Sequence, residues 1–90
     1  MANVRGEKII VRAYGNRPLV RVIWDVCGDS VLVTNEHGIT SLEAGNGGPM
    51  PIGFPFSDVF VYEEDDAEKI MGVYASGGSP QWRALRQFRA

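Results

Sequence analysis

Residues 20–34 read VRVIWDVCGDSVLVT, and this run decides the class of fold. Val20, Val22, Trp24 and Val26 stand at every second position, the period of a strand with one face turned to a core. Cys27, Gly28 and Asp29 follow as a turn cluster, and Ser30–Thr34 resumes with Val31 and Val33 on one side. The stretch predicts a hairpin in which Val20, Val22, Trp24 and Val26 share the core face.

The same logic extends in both directions. Lys8–Tyr14 (KIIVRAY) is rich in β-branched residues and stops at the turn pair Gly15-Asn16, which predicts a first strand. Asn35–Gly38 reads as a second hairpin loop, Ile39–Glu43 (ITSLE) as a fourth strand and Val59–Tyr62 (VFVY) as a fifth. Between these last two lies GPMPIGFPFSDVF, residues 48–60. Its glycines and prolines predict a loop at 47–50 and a stiff connection from Pro51 to Asp58. Short strands at hairpin spacing without an intervening helix predict a mainly β fold, a small five-stranded, partly open barrel over residues 1–62.

Residues 63–90 change character and form a C-terminal extension with one or two short helices. Asp65 and Glu68 have capping-box spacing at the head of a helical run, in which Gly72 and the β-branched Ile70 and Val73 are weak points. Ser76-Gly77-Gly78 is a flexible joint. Ser79 as N-cap with Pro80 at the first helical position predicts a second helix. That helix would carry an apolar stripe of Trp82, Leu85 and Phe88 beside a basic one of Arg83, Arg86 and Arg89. The apolar stripe has two destinations: its own barrel or a second copy of the chain.

Gly53-Phe54-Pro55, followed by Ser57-Asp58-Val59-Phe60, resembles the end of Src-homology-3 domains. There a glycine, an apolar residue and a proline precede a short 3-10 turn and the last strand. With the strand count, the resemblance implies a Src-homology-3-like small barrel over residues 4–62. It does not bring that family's peptide groove with it. The groove tyrosine after the proline is replaced by Asp58 or, with one insertion, Val59, and the first loop, Gly15-Asn16-Arg17-Pro18, is basic where peptide-binding members are acidic and aromatic. A shared fold does not carry function.

Composition sets outer limits. The chain has 90 residues, 44% of them hydrophobic and 22% charged, which describes one globular domain. Cys27 is the single cysteine, so neither an internal disulfide nor a cysteine metal cluster forms, in keeping with a reducing cytoplasm. The first residues lack the apolar core of a signal peptide, and no apolar run reaches the ~20 residues of a membrane span. A cytoplasmic protein with no membrane association is expected.

Charge is segregated. Arg5, Lys8, Arg12, Arg17 and Arg21 face only Glu7 within residues 1–24; residues 25–68 hold 10 acids and no lysine or arginine; residues 69–90 hold Lys69 and three arginines without an acid. The simplest outcome is basic and acidic strands pairing across the sheet.

Chemistry-bearing patterns are sparse. Cys27 and His37 sit on consecutive hairpin turns, at opposite sheet ends in a meander and so out of reach as a nucleophile–base pair. Glu63–Asp66 lacks calcium-loop spacing, and Gly45-Asn46-Gly47-Gly48 has no following lysine to hold a phosphate. No enzyme, metal or cofactor is expected.

What remains is a surplus of rings. Phe60 and Tyr62 point to one face of the last strand and Val59 and Val61 to the other. The leading expectation is a non-catalytic module that recognises a protein through Tyr14, Phe54, Pro55, Phe56 and Tyr62. Two alternatives stand beside it. One is nucleic-acid binding through Arg83, Arg86, Arg89 and Trp82 together with the basic first strands. The other is a small acidic inhibitor of the kind mobile elements carry, its acids mimicking nucleic acid.

Overall fold

The computed structural model describes residues 5–35, 38, 45 and 50–89. β1 (Lys8–Ala13), β2 (Arg17–Cys27), β3 (Ser30–Thr34), β4 (Ile52–Pro55) and β5 (Val59–Val61) build one open antiparallel sheet in the order β4-β3-β2-β1-β5. The first connection is a 3-10 turn at Tyr14–Asn16, shorter than the sequence predicts, because β2 already starts at Arg17. Gly15 (φ 75°) and Asn16 (φ 61°) are both left-handed. Glycine and asparagine tolerate that region, and the right-handed twist of a hairpin requires it.

β2 is 11 residues long and serves two partners. Its first half pairs with β1 (Lys8↔Val22 to Ala13↔Arg17) and its second with β3 (Val22↔Thr34 to Cys27↔Ser30). The register shifts between Ile23 and Asp25, a bulge that bends the strand and increases its twist. The bulge also corrects the predicted core face. Leu19 and Ile23 pack inside with Val26, whereas Val20 packs on the opposite face and Trp24 is half-buried at the bulge. One inserted residue reverses strand parity, so four positions at spacing two cannot all share a side.

Both faces of the sheet are apolar, as the unbroken Ile9-Ile10-Val11 triplet requires. Ile9, Val11, Ile23, Val31, Val33 and Val59 form the inner cluster. Ile10 and Phe60 form the outer one with Ala67, Ile70, Trp82 and Leu85. Ile10 and Ile23 are fully buried, each contributing roughly 1.5–3 kcal/mol of transfer free energy.

β4 is the second correction. Ile52–Pro55 is a strand, paired Ser30↔Pro55 to Val33↔Ile52, where the sequence predicts a connection. The strand predicted at 39–43 lies outside the described residues. The 3-10 turn after Pro55 is present at Phe56–Asp58, leading directly into β5.

The outer face is covered by α1 (Glu64–Ala75), which buries Ala67 and Ile70. The predicted capping box does not form. Glu63 is the N-cap, without a side-chain bond, and Asp65 lies inside the first turn with Glu64 and Asp66, where negative charge favours the helix dipole. At the other end, the Gly78 N–H donates to the Val73 carbonyl (2.9 Å) and the Gly77 N–H to the Tyr74 carbonyl (3.0 Å). Gly77 adopts φ 85°; together these features make the double-bonded glycine C-cap that stops a helix.

The second predicted helix is absent. Trp82–Ala84 makes one 3-10 turn, and Gln87 bridges Phe60 in extended form. The Arg86 carbonyl accepts from the Val61 N–H (2.8 Å), and the Phe88 N–H donates to the Val59 carbonyl (3.0 Å). The edge of β5 thus takes the backbone groups that a helix would have used internally.

Charges follow the strands differently from the expectation. The basic segments pair with each other in β1 and β2. Arginine meets carboxylate instead at Arg12–Asp58 (2.8 Å) and at Arg86–Glu63 (3.0 Å).

Candidate recognition surface

The two edges of the sheet end differently. At β5, the C-terminal segment wraps round the edge. Trp82 and Leu85 lie on the outer cluster, Gln87 pairs with β5, and Phe88 enters the inner cluster. Trp82 stacks on Phe60 with centroids 5.1 Å apart, and Phe88 on Phe56 at 6.0 Å. The Gln87 side-chain amide donates to the Val59 carbonyl (3.0 Å) and also to that of Phe56. Arg12 ties the same corner together: its Nε donates to Asp58 (2.9 Å) and one terminal nitrogen to the Ser57 carbonyl (3.1 Å). Its guanidinium stands 5.5 Å from the Phe60 ring centre and 5.7 Å from that of Trp82, within cation–π range.

At β4 the outer edge is different. Among the described residues no strand pairs with it. Ile52 is 62% exposed, and Met50, just before the strand, is 86% exposed. An unpaired edge offers a row of backbone donors and acceptors to another chain. Shortness and flanking prolines are the ordinary defence against uncontrolled pairing. β4 has both: it is four residues long, with Pro51 just before it and Pro55 as its last residue.

The residues expected to recognise a partner are not all brought together. Phe54 and Phe56 each pack against the inner cluster and are half-buried. Pro55 is exposed at the end of β4, and Tyr14 is fully exposed on the β1–β2 turn. Tyr62 packs on the outer cluster, the opposite face, with the Lys8 ammonium 4.9 Å from its ring centre. Met50 and Ile52, the most exposed large apolar side chains among the described residues after Tyr14, are absent from the sequence-based set. The alternation Ile52-Gly53-Phe54 was their signal, and the flanking prolines hid it.

The residues of the nucleic-acid alternative are divided by burial. Arg83, Arg86 and Arg89 are exposed, whereas Trp82 is only 8% exposed and Phe88 is buried. The ring offered for base stacking is therefore committed to Phe60. Of the acids, Asp25 and Asp29 lie at the β2–β3 hairpin, Glu64, Asp65, Asp66 and Glu68 on α1, and Asp58 and Glu63 are paired with arginines. Glu36 and Glu43 lie outside the described residues, as does His37. Cys27 is exposed at its hairpin.

Among the described residues no group of three or more histidine, cysteine, aspartate or glutamate side chains is placed to hold a metal ion. No helix among them is long and apolar enough to cross a membrane. Comparison of the chain with protein-family models, curated proteins and solved structures finds no match.

Proposed function

We propose that the chain is a small barrel of the Src-homology-3-like type that works as a non-catalytic protein-recognition module, taking an extended segment of its partner along the outer edge of β4. The observation that carries this reading is the contrast between the two edges. The edge of β5 is occupied in cis by Arg86–Phe88, while that of β4 stands without a strand partner among the described residues and displays Ile52 and Met50. Strand addition at such an edge draws affinity from main-chain hydrogen bonds and specificity from alternate side chains. The barrel assignment is supported by the strand order and by the 3-10 turn before the last strand.

The recognition residues are then Met50, Ile52 and Pro55. Phe54 acts from beneath by holding β4 against the interior, which moves the contact toward the exposed side chains of the edge.

The test is to pan a library of short random peptides against the protein and against Ile52→Lys. Lysine at this exposed position blunts an edge without touching the core. Selection of peptides that bind the wild-type protein and lose binding to Ile52→Lys supports the reading. Selected peptides indifferent to the substitution, or none at all, overturn it.

A further inference from the structure

β4 runs directly into Phe56 and Ser57, and there the surface forms an open depression lined by Phe56, Ser57, Gln87, Phe88 and Arg89. Its floor is aromatic, the stacked rings of Phe56 and Phe88 lying within 5° of parallel. Its walls are polar and fixed. The Gln87 amide nitrogen is held by two carbonyl groups, and the Ser57 carbonyl by Arg12. Arg89 at its rim is exposed. Arg12 is paired with Asp58 beside the Ser57 wall, and Arg86 with Glu63. No carboxylate of the described residues reaches Arg89.

We infer that this depression selects a carboxylate side chain next to an apolar one, so that the segment recognised at β4 carries an Asp or Glu beside a Leu- or Phe-like residue. The inference rests on strand addition at β4 and specifies what the added segment contains. An apolar side chain fits the ring floor, and the carboxylate meets the guanidinium, which binds such groups through a planar fork of donors. The depression is open and lies where β4 runs into Phe56, so a segment added along β4 meets it in mid-chain and offers Arg89 the carboxylate of a side chain. The tail thereby has two roles: Phe88 completes the interior, and Arg89, one residue further, faces the ligand.

The probes are fluorescein-labelled peptides of alternating valine and threonine carrying one Asp-Leu pair. The Asn-Leu version, and the Asp-Leu version with an amidated C-terminus, are the comparisons. By anisotropy at low salt, Asp-Leu is expected to bind about threefold to fivefold more tightly than Asn-Leu, the scale of one exposed ion pair. Amidation is expected to change nothing. The preference is expected to vanish in Arg89→Gln and to shrink as salt rises. Equal affinity for Asp-Leu and Asn-Leu, a preference that survives Arg89→Gln, dependence on the terminal carboxylate, or no binding of any probe overturns the inference. Ile52→Lys separates the two ideas. Binding that needs Ile52 but ignores the carboxylate defeats the inference and leaves strand addition standing. A carboxylate preference that needs Arg89 but ignores Ile52 defeats strand addition.

Discussion

Phe88 lies on Phe56 with ring centroids 6.0 Å apart and planes within 5° of parallel, beside the turn that joins β4 to β5. A residue from the far end of the chain thus belongs to the same cluster as Ile9, Val11 and Val59. The C-terminal segment is part of the fold, and its removal is a stability experiment before it is a binding experiment.

Phe88→Ala is expected to cost about 3–5 kcal/mol, the range for truncating a buried phenylalanine. In a domain of this size each kcal/mol shifts the melting temperature by roughly 4–8 °C. Thermal denaturation followed by circular dichroism should therefore drop by more than about 10 °C. Truncation after Gly77 removes Trp82, Leu85 and Phe88 together and should abolish cooperative unfolding. A truncated chain that melts like the full one would mean that the tail is only an appendage.

Trp82 makes an opposite kind of prediction. Its ring is buried against Phe60, yet its Nε1 is buried with no hydrogen-bond partner. A buried donor without a partner carries a desolvation penalty of about 1–3 kcal/mol. Trp82→Phe retains an aromatic stack and removes that donor, so its stability should stay within about 1 kcal/mol of wild type. Trp82→Ala should lose about 3–5 kcal/mol. Urea denaturation of both variants checks the contrast; equal losses would mean that the indole N–H is satisfied.

Arg12 couples charge to ring packing. The Arg12 and Asp58 side chains are 32% and 30% exposed, and solvent at that exposure limits the ion pair itself to about 1 kcal/mol or less. A double-mutant cycle of Arg12→Ala and Asp58→Ala should give a coupling of that size. Arg12→Ala alone should cost more than Asp58→Ala, because it also loses the Ser57 carbonyl and the faces of Phe60 and Trp82. Arg12→Lys should recover little of this, since an ammonium cannot reproduce the fork.

Ile52→Lys should leave stability within about 0.5 kcal/mol, as expected for an exposed position. Phe54→Ala, two residues along the same strand, should destabilise clearly because its ring packs on the inner cluster. Parallel melts of the two variants check that β4 is anchored at Phe54 and free at Ile52.

The β character and the positions of β1, β2, β3 and β5 are legible in the sequence, because period-two patterning and turn residues are local signals; the 3-10 turn before β5 is what the resemblance implies. The sequence obscured β4, where Pro51 and Pro55 read as breakers; on a short edge strand, proline is tolerated. It misassigned the faces of β2 because a bulge is invisible to simple alternation. It predicted a helix at residues 79–90, where capping residues and an apolar stripe agreed, but the open edge of β5 outcompeted intrahelical bonding. Of the two destinations open to Trp82, Leu85 and Phe88, the structure has them on their own sheet, Trp82 and Leu85 on one face and Phe88 on the other. The candidate site is legible only in part: Pro55 and Phe56 belong to the set the sequence indicates, whereas Met50 and Ile52 do not and Phe54 packs on the inner cluster.

Amide hydrogen exchange with a selected peptide bound is the most direct test of recognition at β4. Strand addition predicts that amides of Ile52–Phe54 gain protection while those of Met71–Tyr74, the exposed apolar end of α1, keep their free-state rates. Protection that grows at α1 and leaves β4 unchanged would contradict it.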